Sequence, residues 1–117
     1  MENKPVVLFA FRGDPICFIH VLLNALDLNE KGREGHIILE GEAVTLVEEM
    51  RRPESSLSQL YQKVRSKELI IGACKACSMK LGADKTMAEE NIPLIGEMGG
   101  HPSMADYMDD GYEIILF

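Results

Sequence analysis

Short apolar runs alternate along the chain with segments of helical period. Val6-Val7-Leu8-Phe9-Ala10-Phe11, rich in β-branched and aromatic side chains, has the pattern of a buried strand. Asp14-Pro15 comes next with an N-cap acceptor and a proline at the first helical position, predicting a helix to about Glu30 with Gly32 near its end. His36-Ile37-Ile38-Leu39 predicts a second strand, punctuated by Gly41, and Ala43–Met50 carries Val44, Leu46 and Val47 on a helical period. Pro53 and Ser55-Ser56 break that helix. Leu57, Leu60, Tyr61 and Val64 then recur at i, i+3, i+4 and i+7, the stripe of an amphipathic helix. Leu69-Ile70-Ile71-Gly72 predicts a third strand, Cys74–Leu81 a short helix ending at Gly82, and Lys85–Glu90 a further helical piece. A fourth strand is expected around Ile92–Ile95. After the glycine-rich Gly96–Gly100, Ser103 caps a last helix with Asp106 in the capping-box place, and Asp109-Asp110-Gly111 turns the chain into a fifth strand, Tyr112–Phe117.

Strands alternating with helices imply a mostly parallel sheet covered on both faces, a three-layer α/β/α sandwich with five strands. No repeat or linker interrupts the pattern, so residues 1–117 are expected to form one domain. The first helix carries a second message. His20, Asn24, Asp27 and Lys31 make one narrow polar stripe, while the rest of Ile16–Leu28 is apolar or small. One apolar face suffices for a surface helix, so the excess is expected to be covered, most simply by another copy of the chain. Burial under the protein's own loops is the alternative.

Composition narrows the partners. Twelve Lys+Arg against nineteen Asp+Glu give a net charge of −7 and a pI near 4.9. That balance repels phosphate backbones, and no basic cluster exceeds Arg51-Arg52, which argues against nucleic acid. The run Val6–Phe11 is too short to span a membrane and no small-residue cleavage site comes after it, so neither membrane insertion nor a leader is expected. Three cysteines, Cys17, Cys74 and Cys77, cannot all pair within the chain, a pattern of thiols in a reducing, cytoplasmic setting.

Chemistry concentrates in Ile70-Ile71-Gly72-Ala73-Cys74-Lys75-Ala76-Cys77-Ser78-Met79-Lys80-Leu81-Gly82. Cys74 is placed at the carboxyl end of a strand, where open parallel sheets gather their sites, and at a helix start, where the dipole favours thiolate. Lys75 and Lys80 are expected to push the same way. Cys77, one turn later, suits a resolving thiol or simple packing, and both cysteines as small buried hydrophobes is the competing reading. A thioredoxin-like oxidoreductase fits less well, because its motif comes after the first strand and this one after the third. No metal site and no cofactor are expected: a structural zinc needs four ligands, and one C-x-x-C with Cys17, His20, His36 and His101 at unpatterned spacing does not display them.

Gly96-Glu97-Met98-Gly99-Gly100-His101-Pro102-Ser103 is the second candidate, expected at the same sheet edge, with His101 placed to orient or deprotonate a thiol; a flexible loop with a capping serine is the alternative. No phosphate-binding glycine motif is present. Glu48-Glu49 has the pattern of a solvated helix face. Glu40 and Glu42 flank Gly41 at a strand end, where lining a pocket is an open reading that nothing else in the pattern supports, and the seven methionines are scattered as gap fillers.

A strand ending in C-x-x-C, with a short helix after it that ends in Gly82, resembles the DsrE/DsrF-like family, with its YchN-like and TusD-like sulfur-relay branches. The resemblance extends over the opening strand, the long apolar helix and a closing segment, Ser103-Met104-Ala105-Asp106 to Phe117. It implies a five-stranded sandwich that forms homo-oligomers, commonly trimers or hexamers. Cys74 matches the cysteine that receives sulfane sulfur as a persulfide and passes it on, and Cys77 the second cysteine of the YchN-like branch. The family's frequent arginine before the glycine is replaced here by Leu81, with Lys80 one residue earlier. The resulting expectation is a sulfur carrier acting through Cys74 with donor and acceptor proteins, more than a turnover enzyme; whether the Cys74 thiol faces an open cleft near a subunit boundary is the structural observation that bears on it most. A dithiol/disulfide switch of Cys74 and Cys77, or a non-catalytic oligomeric module binding a ligand or protein, are the alternatives.

Overall fold

The computed structural model describes residues 4–117; residues 1–3, the start of the expected domain, lie outside the described residues. Strands β1 (Val6–Ala10), β2 (Gly35–Leu39), β3 (Ile70–Cys74), β4 (Leu94–Ile95) and β5 (Glu113–Leu116) form one sheet in the order β4-β3-β2-β1-β5, with every neighbouring pair parallel. The connections carry α1 (Pro15–Glu30), α2 (Leu46–Met50), α3 (Ser58–Ser66), α4 (Lys75–Lys80), α5 (Asp84–Glu89) and α6 (Met104–Asp109).

This order dictates the layers. Parallel crossovers are right-handed, so stepping one way from β1 to β4 lays α1 to α5 on one face, and the return from β4 to β5 lays α6 on the other. The pleat agrees: Leu8, Ala10, Ile37 and Leu39 point into the main core with Phe18, Leu22, Met50 and Tyr61. Val7, Phe9 and Ile38 point the opposite way, against Met104, Tyr107 and Tyr112. The sandwich has three layers, as expected, but its second outer layer is the single short helix α6.

Helix α1 begins as its sequence predicts. Asp14 Oδ1 accepts the Ile16 N–H at 2.9 Å, Pro15 opens the first turn, and Gly32 (φ +77°) ends the exit. Phe18, Val21, Leu22, Ala25 and Leu26 are buried, the larger side chains each contributing on the order of 1.5–3 kcal/mol. Of the apolar excess, Cys17, Ile19 and Leu28 are half-buried, whereas Ile16 and Leu23 remain 78% and 44% exposed.

Two expectations need correction. The segment after β2 enters as a 3-10 turn, Gly41–Thr45, and becomes α-helical only at Leu46, because Gly41 takes φ +53° and Thr45 Oγ1 donates back to the Glu42 carbonyl at 2.7 Å. The fourth strand pairs only through Leu94 and Ile95; Pro93 has no N–H to give a ladder, though its carbonyl accepts the Ala73 N–H at 2.9 Å. Glu48 and Glu49 both keep solvent exposure as expected, and Glu48 in addition accepts from Thr86 Oγ1 at 2.8 Å and from Arg51 at 2.6 Å, tying α2 to α5. Ser103 caps α6 as predicted, its Oγ accepting the Asp106 N–H at 3.3 Å. Among the described residues, no helix is long and apolar enough to cross a membrane.

Candidate functional site

The carboxyl ends of β2, β3 and β4 are adjacent, and each delivers a polar group to one spot. Glu40 comes directly after β2, Cys74 closes β3, and the loop after β4 returns His101. Cys74 Sγ lies 3.1 Å from His101 Nδ1 and 3.6 Å from the Gly100 carbonyl oxygen, so its S–H can be donated to that carbonyl, or to His101 Nδ1 when the ring carries its proton on Nε2. As the N-cap of α4, the same sulfur accepts the Cys77 N–H at 3.4 Å. Glu40 Oε1 stands 4.0 Å from His101 Nδ1. Cys77 Sγ completes the group: one side-chain atom from each of Glu40, Cys74, Cys77 and His101 lies within 4.8 Å of every other.

Two glycines aim His101. Met98 and His101 exchange both backbone hydrogen bonds, at 2.9 and 3.0 Å, around Gly99 and Gly100. Both central residues have positive φ (+59° and +95°), the combination that primed hairpin turns demand and that glycine supplies without strain. The Gly100 carbonyl then accepts the Ala76 N–H at 2.8 Å, pinning the hairpin to the first turn of α4. A Cβ at Gly100 would come within 3.1 Å of the Ala76 Cβ, so the close approach itself favours glycine. This segment is an anchored hairpin rather than a flexible loop.

The electrostatics overturn one expectation. Burial pushes the Cys74 thiol up to about 11, helped by the hydrogen bond and charge of Cys77 and by the Glu40 carboxylate; the Cys77 N–H opposes this. The six-residue helix α4 contributes too little dipole to outweigh a side chain with no exposed surface, and Lys75 and Lys80 turn outward to solvent. Burial likewise raises the Glu40 carboxyl, with His101 pulling it back.

Cys74, Cys77 and His101, picked out separately from the sequence, are thus brought together. Cys74 does not itself face an open cleft, which counts against the carrier reading: the residue is fully buried, behind the half-buried Cys77 and His101. An apolar cavity of about 380 Å³ lies instead beside the ends of β1 and β5, lined among others by Cys17, Phe18, Leu116 and Phe117. Cys17 is therefore a cavity-lining side chain on α1 and not a member of the group around the C-x-x-C. His20 is exposed on α1, and His36 pairs with Glu34 at 2.9 Å near Tyr112. Glu40 is the member that sequence reasoning noticed as a pocket-lining option but did not place in the site. Its only signal was its place just after a parallel strand, where such sheets build sites.

Comparison with known proteins agrees with this architecture. An uncharacterised protein of Methanocaldococcus jannaschii is 35% identical over 97 residues, covering 83% of this chain and 77% of its own. An uncharacterised protein of Archaeoglobus fulgidus is 37% identical over 46 residues, 39% of this chain and 75% of its own. Among solved structures, a conserved protein of unknown function from Bacteroides thetaiotaomicron superposes with a TM-score of 0.66 at 19% identity, covering 95% of this chain and 93% of that one; the likeness is one of fold. The model of the DsrE/DsrF-like family matches residues 7–117, nearly the whole sequence. With its five-stranded parallel sheet and its cysteine at the end of β3, this chain belongs to the DsrE/DsrF-like family.

Proposed function

We propose that the protein carries sulfane sulfur on Cys74, as the family resemblance implies, passing it between donor and acceptor proteins in the cytoplasm. The observation that carries this reading is the 3.1 Å contact between Cys74 Sγ and His101 Nδ1. His101 takes the thiol proton, the Cys74 sulfur attacks the outer sulfur of a persulfide R–S–SH, the inner sulfur leaves as the thiolate R–S⁻, and a Cys74 persulfide remains. The leaving thiolate takes up the proton from His101. The Cys77 N–H, already directed at Cys74 Sγ, stabilises the anionic sulfur. Reagent reaches the buried sulfur past Cys77 and His101, the two members with exposed surface. Incubation with inorganic polysulfide and then intact mass measurement should show one added sulfur on the wild type and none on Cys74→Ser. An equal adduct on Cys74→Ser overturns the reading.

The proximity of the two sulfurs supports a second reading, a dithiol/disulfide switch. Both thiols would give up two electrons and two protons to an oxidised small-molecule disulfide, which leaves as two thiols. Thiol counting through a glutathione redox titration separates the two: loss of Cys77 abolishes the switch and leaves the carrier's adduct intact.

For partners, we place the exposed Ile16 and Leu23 of α1 in a contact between copies of the chain, a trimer or hexamer by family resemblance.

A further inference from the structure

We propose that Glu40, Cys74, Cys77 and His101 bind one thiophilic divalent cation of the zinc class. The donor set is two sulfurs, one imidazole nitrogen and one carboxylate oxygen, the ligand types that Zn²⁺ accepts in four-coordinate sites. All four atoms already lie within 4.8 Å of one another. Bond lengths of about 2.3 Å to sulfur and about 2.0–2.2 Å to nitrogen and oxygen make the edges of such a tetrahedron roughly 3.3–3.8 Å. The Cys74–His101 and His101–Glu40 separations, 3.1 and 4.0 Å, fall on either side of that range, so modest side-chain rotations would bring these two edges into it.

The surroundings are built to hold these donors. Cys74 and Glu40 are buried on adjacent strand ends and fix one side of the site. Cys77 and His101 are half-buried and give the ion its way in. The Met98–His101 hairpin holds the imidazole with Nδ1 inward, and the Cys77 N–H to Cys74 Sγ contact is the kind of outer bond that orients thiolate ligands. On binding, the cation displaces the thiol protons into solvent. The site stands independently of sulfur transfer, since it needs only the geometry of the four groups.

The test uses the full chain, reduced and stripped of metal, with Zn²⁺ alone as ligand and a chromophoric chelator as competitor. One ion per chain is expected. Co²⁺ in its place should show sulfur-to-cobalt charge transfer and the intense visible bands of tetrahedral coordination. Cys77→Ser, His101→Ala and Glu40→Gln should each weaken Zn²⁺ binding at least about tenfold, while Cys17→Ser leaves it unchanged. The partly exposed positions of Cys77 and His101 make those two variants informative even where a change at buried Cys74 impairs folding. Binding unaffected by Cys77→Ser or His101→Ala, octahedral cobalt spectra, or equal loss in Cys17→Ser overturns the site. Because no sulfur donor is present, failure here is distinguishable from failure of the persulfide reading.

Discussion

The proton on Cys74 is held by burial before it is held by any partner, and its consequences can be measured. In the metal-free protein the thiol is raised from an ordinary value of about 8.5 to about 11. Alkylation of Cys74, tracked by peptide mapping, should therefore be slow at neutral pH and keep accelerating to about pH 11. The same shift sets the sign for stability. The native state favours the neutral thiol, so this contribution is fully present below about pH 8.5 and is lost as pH rises through 11. Urea midpoints should fall across that window in the wild type and less so in Cys74→Ala; parallel curves would contradict the assignment. Tyr61, also raised by burial and by its hydrogen bond to Glu90, titrates still higher. The residue scale is also where the sequence was least legible. Cys74 and Cys77 announce themselves by spacing, but Glu40 joins them only because β2 and β3 are neighbours, a fact of strand order that no local pattern encodes.

Elements were more readable, for a physical reason: their signals are local. Asp14-Pro15 starts α1, Ser103 starts α6, and the Leu57–Val64 stripe is α3, because caps and periodicity act within a turn or two. The misjudged elements are those decided by backbone chemistry or distant pairing, the Gly41–Thr45 turn and the two-residue β4. The Gly99-Gly100 hairpin belongs with these, since its glycines suggest freedom whereas the paired Met98 and His101 impose order. A side chain at Gly100 meets both an unfavourable φ and the Ala76 methyl. Gly100→Ala should destabilise the protein by about 1–3 kcal/mol and, by displacing His101, slow polysulfide uptake at Cys74; denaturant titration and adduct kinetics check the two effects.

At the scale of the whole molecule, the apolar character of α1 foretold surface that the fold does not cover. Ile16→Asp with Leu23→Asp should leave the far-ultraviolet spectrum intact and reduce the mass measured by light scattering to that of a single chain. A wild-type mass of one chain would remove the proposed contact between copies.

Strand order also fixes when, along the polypeptide, the site becomes complete. Cys74 ends β3, and Glu40, Cys77 and His101 lie on the connections that leave β2, β3 and β4, the strands added outward from β1. All four donors have therefore left the ribosome once residue 101 has emerged, and the remainder of the chain adds α6 and then β5, which pairs with β1. The last sixteen residues, numbers 102–117, supply none of the four donor groups. The terminal crossover thus closes the β5 edge of the sheet, while the four donor groups gather toward its β4 edge.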